Sequence, residues 1–265
     1  MAQTKIGWCS TKLHDGTVIP GYTFNPWVGC CKVSAGCKNC YAEAMQTPKK
    51  RWANAWGPPG KSDRVRTSDA YWKKPIKWNR DAMETGVRRR VFCGSLMDVF
   101  EDNDDLLTWR SDLFGIIDQT PYLDWLLLTK RPENIQSLWP WGYYDDQFSW
   151  PNVWAGTSVE NQETANKRIP PLLEIPAAVR FLSVEPLLGD ISIYKWIKNI
   201  DWVIVGGESG RNRRTMAMYW MENICAQCNI LGTPLFIKQD SALKPGRRGR
   251  IPDSVWARKE FPDGR

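Results

Sequence analysis

The chain has 265 residues, 42% apolar and 25% charged, enough to bury one large core and ordinary for a globular protein. No stretch is long and apolar enough for a membrane span, and the start Met1-Ala2-Gln3-Thr4-Lys5 lacks a secretory apolar segment, so a cytoplasmic protein without a membrane partner is expected. A net charge of +7 speaks for an acidic partner such as DNA or RNA but says nothing about fold.

Reducing cytoplasm argues against a disulfide framework, so clustered cysteines point to metal or catalysis. Of 8 cysteines, Cys30, Cys31, Cys37 and Cys40 fall in one short loop, while Cys9, Cys93, Cys225 and Cys228 lie elsewhere. The loop runs Asn25-Pro26-Trp27-Val28-Gly29-Cys30-Cys31-Lys32-Val33-Ser34-Ala35-Gly36-Cys37-Lys38-Asn39-Cys40-Tyr41-Ala42-Glu43. From Cys30 its spacing is C-x6-C-x2-C. Three thiolates on such a loop can take three corners of a [4Fe–4S] cube, with a fourth iron open to a small molecule. A closed zinc site needs four ligands, and the adjacent pair Cys30 and Cys31 is awkward around one tetrahedral ion. A redox dithiol would leave Cys30 unexplained.

Residues 52–90 contain Pro58-Pro59-Gly60 and little clean periodicity, which predicts a loop-rich excursion. From Val91 onward one theme repeats. Short apolar runs at 91–95, 125–130, 153–158, 181–185, 203–208 and 235–239 read as strands buried on both faces. Helices are expected over 105–119, 161–174 and 218–231, the last stopped by Gly232 and Pro234. Alternation of this kind predicts an α/β fold, a parallel (β/α) barrel of the TIM type, partial or complete, as a single domain over 1–265. Cys225 and Cys228, three apart on a helix, and Cys93 within a strand read as core residues.

Each apolar run ends in groups capable of chemistry: Ser95 and Asp98, Thr129 and Lys130, Ser158 and Glu160, Glu185, Glu208 and Ser209, Lys238 and Gln239. Barrel enzymes build their sites at that carboxyl face. Helix capping explains some of these residues, but not Lys130 or Lys238. The turn Gly206-Gly207-Glu208-Ser209-Gly210 could cradle a phosphate, and Glu208 beside Arg211 could equally be a structural pair. Basic residues cluster at Lys49-Lys50-Arg51, at Arg88-Arg89-Arg90, at Arg211, Arg213 and Arg214, and from Lys244 through Arg250, including Arg247 and Arg248. Such clusters can neutralise phosphates. The aromatic stretch from Trp139 to Trp150 suits packing beneath a loop or stacking on bases.

The cysteine loop, with its Asn25-Pro26-Trp27 lead-in and Tyr41-Ala42-Glu43 tail, resembles the signature of phage-associated, three-cysteine radical SAM-like proteins. Thr129-Lys130-Arg131-Pro132, Gly156 through Asn161, Ser183 through Gly189, Gly206 through Gly210, Lys238-Gln239 and Arg258 through Pro262 extend the likeness along most of the chain. Its C-x6-C spacing departs from the C-x3-C of mainstream radical SAM proteins, and its aromatic follows Cys40 instead of preceding it. The resemblance implies a [4Fe–4S] cluster on Cys30, Cys37 and Cys40, with Cys31 leaving a second sulfur for the first corner. It also implies S-adenosylmethionine (SAM) held by Gly94, Ser95, Asp98, Ser158, Glu160 and Glu185, and an external electron donor. The implied activity generates a 5′-deoxyadenosyl radical, with Lys130, Glu208 and Lys238 as candidate catalytic groups. Phage association and the basic loops together suggest a nucleobase as substrate, with DNA modification in a host cytoplasm as one form. The competing expectation is a non-catalytic nucleic-acid-binding protein with a structural iron–sulfur or zinc knot.

Overall fold

A computed structural model describes residues 3–46, 52, 54–139 and 151–262. Seven strands form one sheet: β1 (Tyr22–Phe24), β2 (Arg89–Cys93), β3 (Leu123–Thr129), β4 (Val153–Ser158), β5 (Val179–Val184), β6 (Trp202–Gly206) and β7 (Leu235–Gln239). Every neighbouring pair is parallel and the strands lie side by side in chain order. Consecutive parallel strands need crossover segments, and helices Leu107–Asp118, Gln162–Leu173 and Met218–Leu231 supply them. The fold is an α/β partial barrel, with β1 and β7 unpaired to each other.

The sheet is strongly curved. Trp8 stacks edge-on against Phe92 of β2 at 4.5 Å and against Trp202 of β6 at 6.3 Å. Flat strands four places apart would stand roughly 19 Å from each other at the usual strand spacing. Alternation along the strands then makes two cores. Outward residues such as Val91, Leu127, Ala155, Leu182, Val203 and Ile237 pack beneath the helices. Inward residues Phe92, Leu126, Trp154, Phe181, Ile204 and Phe236 fill the amino-terminal half of the barrel around Trp8. Arg90 is buried in that plug, its guanidinium 4.8 Å from the Trp154 ring and 4.6 Å from Phe261. Within the cluster Arg88-Arg89-Arg90, Arg90 points into the core and Arg88 pairs with Asp124 at 2.6 Å.

Gly156 lies under the Phe181 ring, where an added Cβ would come within 2.3 Å. Gly156→Ala is expected to destabilise the protein by about 1–3 kcal/mol through overpacking, read as a lower urea midpoint with an unchanged slope.

The excursion at 52–90 is less loop-like than its composition suggests. It holds a short strand, Val65–Arg66, and a helix, Lys74–Thr85. The helix has Pro75 in its first turn and stops at Gly86, whose φ is 64°. Its buried stripe is only Pro75, Trp78 and Ala82, too sparse to stand out as a period. Trp78 nevertheless anchors it, stacked on Tyr22 at 4.3 Å. Strand β1 also went unread, because three residues make no apolar run. Trp139 packs on Phe100 and Phe114, on the core side, whereas Trp141 through Trp150 and Lys49-Lys50-Arg51 lie outside the described residues.

Candidate functional site

The cysteine loop leaves the carboxyl end of β1. Asn25 fastens this exit, its Nδ2 donating to Ser95 Oγ at 2.9 Å and its Oδ1 accepting from Leu96 N at 2.8 Å. Trp27 is fully buried, and Trp27–Val28 pairs with Val65–Arg66. Gly29 has a φ of 113°, and a Cβ there would stand 2.1 Å from Ala55 O, so only glycine lets the chain turn toward Cys30.

A buried charge network lies under Cys30 and Cys31. Glu101 and Arg64 form an ion pair at 2.6 Å with side chains at most 1% exposed, and Glu101 Oε1 also accepts from Cys31 N at 3.0 Å. Arg131 Nη2 donates to Cys31 O at 2.7 Å, and its Nη1 donates to Asp98 Oδ2 at 2.9 Å and approaches Cys30 Sγ at 3.6 Å. Burial pushes the Cys30 thiol up to about 12, Asp98 adds to this, and Arg131 opposes it.

Beyond Cys31 the loop crosses the carboxyl ends of the strands and is tied to three of them. After β4, Ser34 Oγ donates to Glu160 Oε1 at 2.8 Å while lying 3.9 Å from Cys37 Sγ. Gly36 passes so close that a Cβ would sit 2.3 Å from Glu160 Oε1. After β6, Asn39 Nδ2 donates to Glu208 Oε2 at 3.1 Å, and Arg214 Nη1 donates to Ala35 O at 3.0 Å. After β2, Tyr41 Oη donates to Ser95 O at 2.7 Å. Cys37 and Cys40 are both half-buried in this stretch.

The expected site residues fall into distinct settings. Glu160 is fully buried; its Oε1 also takes Arg168 Nη1 at 3.0 Å, with Lys130 Nζ 4.0 Å away. Its Oε2 is buried with no hydrogen-bond partner among the described residues. Glu185 pairs with Lys238 at 2.5 Å across Gly206, where a Cβ would stand 3.4 Å from the Glu185 carboxyl carbon. Glu208 pairs with Arg214; burial alone would raise its carboxyl, but the Arg214 and Asn39 hydrogen bonds outweigh that and hold it below the usual range. Ser158 is buried, its carbonyl accepting from Arg168. Gly94, φ 98°, bonds through its N–H to Phe24 O. Asp98 does not face the mouth: it is 5% exposed and accepts from Thr129 Oγ1, Lys130 N, Arg131 Nη1 and Phe100 N. It holds Arg131 in place.

The two basic loops pack together, with Gly210 N donating to Ala242 O at 3.0 Å and Arg250 Nη2 to Met216 O at 2.8 Å. Arg211, Arg213 and Arg247 are exposed there. Arg214 is engaged by Glu208, and the exposed Arg248 pairs with the exposed Asp253. Cys225 and Cys228 are buried on their helix, and burial pushes the Cys228 thiol up to about 12, which suits core packing. Arg131, Glu101, Arg64, Ser34, Asn39 and Arg168 escaped the sequence reading. Of these, Ser34 and Asn39 lie in the cysteine loop and Arg131 in the Thr129–Pro132 motif.

Among the described residues no three His, Cys, Asp or Glu side chains form a group that could hold a metal ion. Three free thiols on one loop are donor chemistry that would suit a cluster at Cys30, Cys37 and Cys40, with the Arg131 guanidinium beside the first.

Fold and site together define a parallel α/β partial barrel whose polar mouth is roofed by a three-cysteine loop. Residues 3–255 match the family described as "Protein of unknown function (DUF5131)", and the chain belongs to that family. Among solved structures it is similar to a mutant spore photoproduct lyase with bound AdoMet and dinucleoside spore photoproduct. That likeness has a TM-score of 0.44 and 11% identity, covering 77% of this chain and 60% of the lyase chain. No curated protein matches the sequence.

Proposed function

We propose that this protein is an iron–sulfur radical SAM enzyme acting on a nucleobase in DNA or RNA. The observation that carries the reading is the cysteine loop tied by Ser34, Asn39 and Tyr41 across the carboxyl ends of three parallel strands. When bound, a [4Fe–4S] cluster would supply the electron that cleaves SAM to methionine and a 5′-deoxyadenosyl radical, the reductant being an external donor. Cys30, Cys37 and Cys40 would hold the cluster. Ser95 and the orphaned oxygen of Glu160 offer polar contacts for SAM, and Ser158 contributes to the wall behind them. The Glu185–Lys238 pair and Lys130, which lies 4.0 Å from Glu160, would bind substrate or hold a proton at the carboxyl ends of their strands. Glu208 serves chiefly to fasten the roof through Asn39 and Arg214. Phage association follows only from the motif likeness, and modification of phage DNA would suit it.

Arg211, Arg213 and Arg247 extend this reading to a polyanion at the same rim. Reconstituted protein with SAM and reductant under anaerobic conditions is expected to release 5′-deoxyadenosine. Binding of a DNA or RNA oligonucleotide at low salt should weaken about tenfold or more when those three arginines become Glu, with a flatter salt dependence. Cluster-replete protein that neither binds nor cleaves SAM would instead support a structural knot.

A further inference from the structure

Arg131 stands between the first cysteine pair and the buried charges below it, with a side chain only 8% exposed. The guanidinium fork spans three groups at once: Asp98, the Cys31 carbonyl and the Cys30 sulfur. The Cys31 sulfur instead turns toward the exposed Lys32 carbonyl at 3.6 Å.

We infer that Arg131 is a positioning residue that selects Cys30 over Cys31 as cluster ligand and raises the reduction potential of the bound cluster. The inference rests on the iron–sulfur reading above. Reduction adds one electron from the external donor and makes the cluster more negative. A guanidinium is always charged, and this one is locked by Asp98 beside a ligand sulfur, so it stabilises the reduced state more than the oxidised one. Lysine would keep the charge but lose the fork that joins sulfur, carbonyl and carboxylate.

The test is a redox titration of the anaerobically reconstituted full chain, followed by electron paramagnetic resonance, with iron and sulfide measured on the same samples. Arg131→Gln is expected to keep its cluster and show a midpoint potential more negative than the parent. Arg131→Lys should fall between the two. Because Arg131→Gln alone leaves Asp98 unpaired, Arg131→Gln/Asp98→Asn serves as a second variant with both charges removed and the shapes kept. It should shift in the same direction. Cys31→Ala should leave iron content unchanged in the parent. Equal or more positive midpoints in the Gln variants, or loss of iron from Cys31→Ala in the parent, would overturn the inference. A parent that takes up no iron and sulfide would instead fail at the earlier step, and remove the iron–sulfur reading with it.

Discussion

Cys37→Ala protein, reconstituted with iron and sulfide, is expected to hold almost no cluster. Loss of a supporting residue around a metal site costs roughly 10–100-fold in affinity, and loss of a ligand should exceed that. Folding should survive, because Cys37 is half-buried in a single turn, Ala35–Cys37, outside both hydrophobic cores. Substitutions in such places usually change stability by only about ±0.5 kcal/mol. Cys225→Ala and Cys228→Ala are the controls: both sulfurs are buried in the helix Met218–Leu231, and iron content should not change. Iron and sulfide assays on the three variants decide the matter. A normal cluster in Cys37→Ala would rule out the ligand set.

Glu101→Ala is expected to cost about 3–5 kcal/mol of stability, measured by chemical denaturation. Its carboxylate is paired with Arg64, whose side chain is fully buried, so removal leaves an uncompensated charge in the interior. Arg64 would keep only neutral partners, the Ala55 and Gly57 carbonyls and the Ser62 hydroxyl. Because Glu101 also accepts from Cys31 N, the first cysteine pair should loosen, and cluster uptake should fall even at temperatures where the fold persists. A stability change below about 1 kcal/mol would show that the pair contributes little beyond its own desolvation cost.

Much of the barrel could be read from the chain because its strands are buried on both faces. Trp202–Gly206 is a nearly continuous apolar run, Leu235–Gln239 opens with three apolar residues, and Met218–Leu231 matched its observed ends through Gly232. Sparse burial hid the rest. Lys74–Thr85 buries three residues, and β1 is only three residues long. The carboxyl-end residues were legible as a set because a strand end is a local feature. Their partners were not, since Glu160 meets Ser34 across 126 positions and Asn39 meets Glu208 across 169.

By itself the sequence determined the parallel α/β class, the spacing of three thiols on one loop, and the polar groups that close each strand. All three are properties of short windows: apolar length, cysteine spacing and the residue after a run. Tertiary structure decided which charges meet. It drew Asp98 under Arg131, enclosed Arg90 among aromatic rings, and paired Arg214 with Glu208, taking all three away from the surface roles their types suggest. The physical reason is that an ion pair or a buried cation is set by distances between strand ends, and curvature of the sheet, not order along the chain, brings those ends together.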